Sequence, residues 1–185
     1  MKKLFTILLS AIFLCSLNSC KINGNFKGLY SYYETTKKEN PGLFIKNDNK
    51  ICSLKYSKNI FIINGKSLKD CLQEDDKSLV YIWGPKCSSK VCIPLSSVQE
   101  YCTRKNIRLY IVAEYFDSEM MNKEYAIERP ILGIDTEYYK TNLTKKYLTA
   151  FINDIAQTNY SEKRYLYFEK GELKDVQEEI LLYHN

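Results

Sequence analysis

Histidine is all but absent. The 185 residues hold one, His184, beside the C-terminal residue. That scarcity excludes an HExxH metalloprotease or a His-rich zinc site, which need several imidazoles on one ion. It argues equally against a Ser-His-Asp or Cys-His hydrolase, which needs an imidazole as base. Charge of one sign is also lacking: 27 basic residues against 22 acidic leave +5, and without Lys2 and Lys3 the basic count falls to 25. So small an excess gives no footprint for nucleic acid. There is no glycine-rich nucleotide loop, no metal-ligand cluster, no internal repeat and no low-complexity block. No apolar run reaches the roughly 20 residues that a membrane span requires. What the chain does have is sulfur: seven cysteines in a composition that is 45% hydrophobic and 26% charged, as expected of one folded domain.

The N-terminus reads as an address. Lys2 and Lys3 precede a mainly apolar stretch of 14 residues, Leu4 to Leu17, the length of a signal-peptide core. It ends in Leu17-Asn18-Ser19-Cys20, which resembles the bacterial lipobox. That resemblance implies a leader over 1–19, cleavage before Cys20 and acylation of Cys20. The expected setting is the bacterial cell envelope, with the soluble part held at a membrane outside the cytoplasm, on the periplasmic side. Several acyl chains, at about 0.8 kcal/mol per buried CH₂, give firm anchoring. Outside the cytoplasm, thiols form disulfides or serve dedicated thiol chemistry. Cys15 goes with the leader and Cys20 with the lipid, leaving Cys52, Cys71, Cys87, Cys92 and Cys102, an odd number.

Residues 20–50 are polar, with Gly24, Gly28, Pro41 and Gly42, and predict a tether and irregular lead-in. Ile60 to Ile63 predicts a short strand stopped by a turn at Asn64-Gly65. Leu68 to Leu72 fits a helical turn. Leu79-Val80-Tyr81-Ile82-Trp83 is a continuous apolar run and predicts a buried strand, broken by Gly84-Pro85-Lys86-Cys87. Val91, Leu95, Val98 and Cys102 share one helical face, with Pro94 as a kink. A strand follows over 108–116, a weakly periodic helix over 118–128 and a short strand over 131–134. Leu143, Tyr147, Leu148, Phe151, Ile152 and Ile155 predict an amphipathic helix with Thr141 or Asn142 as N-cap. A strand over 164–168, a hairpin turn at Glu169-Lys170-Gly171 and a helix over 176–183 complete the pattern. Alternating strands and helices predict a layered α/β domain.

Taken in order, strand, Trp83-Gly84-Pro85-Lys86-Cys87, kinked helix, strand, helix, strand and hairpin resemble the thioredoxin fold. The likeness is to membrane-anchored thiol–disulfide oxidoreductases of bacterial envelopes, and it covers about residues 51–183. Asn64-Gly65-Lys66-Ser67-Leu68 and Glu169-Lys170-Gly171-Glu172-Leu173 resemble that family's lead-in and final hairpin. The resemblance implies a domain over 51–185 with a central mixed sheet of about four to five strands flanked by helices. It implies thiol–disulfide exchange through Cys87, with Cys92 as resolving thiol, Trp83 packed beside the site and Gly84, Pro85 and Lys86 supporting it. Partners would be the membrane, through Cys20, and a protein thiol or disulfide; no cofactor, metal or nucleic acid is implied. A place at the start of a helix and the charge of Lys86 would each favour the Cys87 thiolate.

Three positions depart from the family. Lys90 stands where its second cysteine would be, so the spacing is Cys-x₄-Cys. On an intact helix, positions i and i+5 point about 140° apart, so pairing requires the first helical turn to be loose. Lys163 or Arg164 stands in place of the family's cis-proline, and Tyr81 in place of an acidic or amide residue. These departures keep a second expectation open, a non-catalytic binding or assembly module on the same fold. A third is a thiol peroxidase, since Cys-x₄-Cys resembles one-subunit peroxiredoxins; there Gly84 and Val80 occupy the places of the hydroxyl residue and the proline. Of the remaining thiols, Cys102 lies on an apolar helix face and reads as core. Cys52 and Cys71 are spaced for a structural disulfide closing a loop of about 20 residues, worth about 3 kcal/mol in the chain-entropy model. Spacing alone does not choose among the pairings.

Overall fold

Apolar side chains on both sides of the run 79–83 demand cover on both sides of its strand, and the sheet supplies it. The protein's computed structural model describes residues 28–46, 51–89, 92–158 and 163–178. The expected leader 1–19, Cys20, Lys90, Val91 and residues 179–183 of the expected last helix lie outside these. Strand β3, Lys77–Trp83, runs between β4, Arg108–Ala113, which is parallel to it, and β6, Tyr165–Glu169, which is antiparallel. Trp83 stands opposite Ala113, and Tyr81 opposite Tyr165. With β1 (Phe44–Lys46), β2 (Ile60–Ile63), β5 (Leu132–Ile134) and β7 (Glu172–Gln177), the mixed sheet has seven strands in the order β1-β2-β5-β4-β3-β6-β7.

Period-two alternation sorts the strands between two apolar layers. Leu79, Tyr81 and Trp83 face a layer closed by Leu95, Val98 and Cys102 of helix α3, Leu95–Arg104, and by Tyr33 of helix α1, Tyr33–Glu39. Val80 and Ile82 face the opposite layer, closed by Leu68 and Leu72 of α2, Gly65–Glu74, and by Leu148, Phe151, Ile152 and Ile155 of α5, Thr144–Ala156. Cys52, in a 3-10 turn over Ile51–Ser53, pairs with Cys71 of α2, Cα to Cα 5.0 Å, inside this second layer. Among the described residues no helix is long and apolar enough to cross a membrane.

Several sequence expectations need correction. The sheet exceeds four to five strands because two segments contribute strands of their own. The first is the polar lead-in: α1 forms within it, and β1 then pairs in parallel with β2. Tyr33 anchors this segment, its ring 4.9 Å from Phe44 and 5.4 Å from Phe116. The second is the return strand of the expected hairpin, β7, which runs on through Val176 and Gln177, where the last helix was expected to begin. A bulge beside Tyr167 and Phe168 places one extra residue in β7, so Leu173 and Val176, three apart as on a helix, both pack against the second layer. Asn64 is an N-cap rather than a turn residue: its side chain accepts from the Ser67 N–H at 3.0 Å and α2 starts at once. The helix expected over 118–128 is the single turn α4, Ser118–Met121, capped by Asp117, which accepts from the Met120 N–H. Leu143 N-caps α5 without a side-chain bond; Thr141 Oγ1 accepts from its N–H.

Candidate functional site

Among the described residues the chain leaves β3 at Trp83 and next enters a helix at Leu95. A tight turn over 84–87 follows the strand, and a second backbone hydrogen bond joins Ser89 and Cys92. The Cys87 N–H donates to the Gly84 carbonyl at 3.0 Å, and the Cys92 N–H to the Ser89 carbonyl at 3.0 Å. Pro85 suits the second position of the first turn because its ring fixes φ. Pro94, the N-cap of α3, lacks an N–H and marks the helix boundary where a kink within a longer helix was expected. Cys87 therefore does not sit at a helix N-terminus, and the macrodipole, which fades beyond the first turn, does not reach it.

Freed from helical geometry, Cys87 and Cys92 are paired, with Cα atoms 5.9 Å apart. Both are half-buried, whereas Cys52 is 7% exposed and Cys71 fully buried. Ser89 stands between the two sulfurs, its Oγ 3.4 Å from each. In the disulfide only the serine carries a hydrogen, so its hydroxyl donates to one sulfur or the other. Sequence reasoning missed Ser89, since a serine in a loop carries no signal by itself.

Beneath the loop, the stacked rings of Tyr81 and Tyr165 lie 4.6 Å apart, and the Tyr81 hydroxyl donates to the Ile93 carbonyl at 3.3 Å. Burial pushes the Tyr81 hydroxyl above the usual tyrosine range. Tyr81 thus pins the segment after Cys92. Trp83, 6% exposed, meets the edge of the Tyr125 ring at 5.5 Å. These two residues, with Ile93 and Met120, line a groove of about 400 Å³ that Cys87 and Cys92 border.

Lys86 is turned to another task than the one expected. Its ammonium pairs with Asp117 at 2.9 Å and Glu119 at 3.3 Å, and the hydrogen bond it donates to Asp117 holds it above the usual lysine range. Its backbone N–H donates to the Tyr115 hydroxyl at 3.1 Å. Lys86 clamps the first turn to the segment after β4, and its charge is answered by two carboxylates.

A second charged pair lies on the other side of Gly84. Arg164 Nη1 contacts Glu114 Oε2 at 3.0 Å, and each side chain is 19% exposed. Glu114 follows β4 and Arg164 precedes β6. A Cβ on Gly84 would meet Glu114 Oε2 at 3.0 Å and Arg164 Nη1 and Cys87 Cβ each at 3.3 Å. The glycine therefore permits a close approach of the ion pair to the turn that carries Cys87.

Of the expected site residues, the fold brings Trp83, Gly84, Pro85, Lys86, Cys87 and Cys92 together at the C-terminal end of the central strand β3 and sets Cys52 and Cys71 apart in the second layer. Cys102 is a free thiol on the fully buried face of α3, and burial pushes it up to about 12. Among the described residues no group of three or more His, Cys, Asp or Glu side chains is placed to hold a metal ion. Chemically, the arrangement offers a reachable disulfide with a hydroxyl donor and an aromatic groove beside it. No protein-family model, curated protein or solved structure matches this chain.

Proposed function

We propose that this chain is a lipid-anchored, thioredoxin-like envelope protein that exchanges thiols and disulfides through Cys87, with Cys92 as the resolving thiol. The observation that carries this is the contrast between its two disulfides. Cys52–Cys71 is sealed in an apolar layer, while Cys87–Cys92 lies half-buried in a loop beside an aromatic groove. Exposed disulfides are the labile and catalytic ones, because exchange requires access for an attacking thiolate. The order of β3, α3 and β4 followed by the antiparallel pair β6 and β7 supports a thioredoxin-like core. On that reading β1, β2 and β5 extend the sheet beyond β4.

In the reducing direction, the Cys87 thiolate attacks one sulfur of a substrate disulfide. A mixed disulfide forms, the substrate S–S bond breaks, and the electron pair leaves on the other substrate sulfur, which takes a proton. The Cys92 thiolate then attacks the Cys87 sulfur. The Cys87–Cys92 bond forms, and the second substrate sulfur leaves as a thiolate and is protonated. Two electrons and two protons pass to the substrate. The oxidising direction is the reverse, and the groove suits an extended polypeptide carrying the reacting cysteine. Titration of the full-length protein against a glutathione redox buffer, read by mass spectrometry, tests this. A Cys87–glutathione adduct and a poise-dependent Cys87–Cys92 bond are expected; if neither species forms at any poise, the proposal fails.

One observation favours a second reading, a binding module without catalysis. Lys163 or Arg164 occupies the place where the resembling oxidoreductases carry a cis-proline. Cys87→Ser separates the two readings. An exchange protein loses all glutathione adduct formation at the site, while a binding module keeps both its partner and its stability.

A further inference from the structure

The Glu114–Arg164 pair is built into the site from two directions. Glu114 is fixed through its backbone: its N–H donates to the Trp83 carbonyl at 2.8 Å, and its carbonyl accepts from the buried Tyr147 hydroxyl. Arg164 is fixed twice to one residue of β3. Its carbonyl accepts from the Ile82 N–H at 2.8 Å, and its Nη1 donates to the Ile82 carbonyl at 3.0 Å. Both heads are thus held where β3 ends, and Arg164 Nη1 and Cys87 Cβ each lie 3.3 Å from the point a Gly84 Cβ would occupy. Among the described residues, other ionisable groups near Cys87 have partners of their own. Lys86 is engaged by Asp117 and Glu119, Glu124 at the groove rim pairs with Lys58, and Tyr81 and Tyr125 donate to the backbone carbonyls of Ile93 and Met120.

We infer that Glu114 and Arg164 are an opposed pair of positioning residues that set the thiolate fraction of Cys87. Arg164 supplies the positive charge that favours the thiolate, and Glu114 restrains it. This rests on the thiol–disulfide reading of the site, because a thiolate fraction matters only to a reacting cysteine. The physical reason is that both charges and Cys87 Cβ border the same point, the one a Gly84 Cβ would occupy, and in such partly desolvated surroundings charges act with little screening, so removing either partner leaves the other uncompensated.

The test is the pH dependence of iodoacetamide alkylation of Cys87 in the full-length protein carrying Cys92→Ser, which leaves Cys87 as its half-exposed thiol. Glu114→Gln is expected to move the midpoint of the alkylation profile down by about one pH unit, and Arg164→Gln to move it up by about as much. Arg164→Lys, which keeps the charge, should stay near the parent. A structural role alone would shift both glutamine variants the same way or neither, and either result overturns the inference. Should Arg164→Gln fail to fold, Glu114→Gln decides alone: a downward midpoint supports the pairing, and an unchanged or upward one removes it. Glutathione exchange by the parent protein is scored separately. Opposite midpoint shifts without exchange retain the charge pair and discard the redox function.

Discussion

A cysteine's reactivity depends on access and on how readily its sulfur holds a charge, and the chain offers three settings. Cys102 has no exposed surface, and burial pushes its thiol up to about 12, so almost none is thiolate near neutrality. Cys71 is equally covered, and the layer around its bond to Cys52 must open before a reductant reaches the sulfurs. Cys87 and Cys92 are half-buried at a groove. Mild dithiothreitol followed by iodoacetamide is therefore expected to label Cys87 and Cys92 first, Cys52 and Cys71 only under unfolding conditions, and Cys102 last. Peptide mapping by mass spectrometry reads the order, and labelling of Cys102 alongside Cys87 in native protein would contradict it. At this scale part of the site is legible in the sequence itself. Trp83, Cys87 and Cys92 stand out because a buried strand breaks into a Gly-Pro turn beside two thiols. The Glu114–Arg164 pair does not, because its significance comes from register: Glu114 follows β4, Arg164 precedes β6, and only the pairing of both strands with β3 brings them to Gly84.

Elements were legible where burial wrote a period into the sequence. The runs of β2, β3, β4 and α5 each carry enough apolar side chains to declare strand or helix, and each stands close to its expected place. The misread elements are those whose fixing contacts come from elsewhere. Helix α1 is polar apart from Tyr33, and β7 is mostly exposed, with a bulge that gives its two packed residues a helical spacing. The hairpin joining β6 to β7 shows what such contacts demand. Lys170 and Gly171 both have positive φ, 50° and 79°, and a Cβ on Gly171 would stand 2.6 Å from Gln73 Cγ and 3.1 Å from Gln73 Cα of α2. Gly171→Ala would combine a strained backbone with a clash against a helix. It is expected to lose more than about 1 kcal/mol of stability in urea unfolding; an unchanged midpoint would mean that the hairpin tip does not pack on α2.

At the scale of the whole molecule, tyrosine does much of the work that leucine does elsewhere. With 16 tyrosines in 185 residues, the two layers must satisfy hydroxyls as well as bury rings. They do so by aiming the hydroxyls at acceptors: Tyr110 donates to Asp75 at 2.7 Å, Tyr139 to Asp154 at 2.8 Å, Tyr81 to the Ile93 carbonyl and Tyr147 to the Glu114 carbonyl. Composition alone could show the abundance of tyrosine but not these partners, which lie on other elements. Burial is the chief cause that pushes the hydroxyls of Tyr81, Tyr110, Tyr139, Tyr147 and Tyr165 above the usual tyrosine range, and the neighbouring carboxylates of Asp75 and Asp154 push Tyr110 and Tyr139 further. The sign for stability follows. Below the unfolded value of about 10 neither state ionises these groups, and folding is unaffected. Above it the unfolded chain releases protons that the native state retains, so stability falls as pH rises through that window. The urea midpoint is expected to hold below about pH 9 and to fall steeply above about pH 10. Tyrosinate absorbance from these buried and half-buried residues should then appear together with the loss of far-ultraviolet circular dichroism. A midpoint that stays level a full unit above that window, or tyrosinate from all five residues while the fold persists, would show that the native state tolerates their charge and that the hydroxyl network does not hold the layers together.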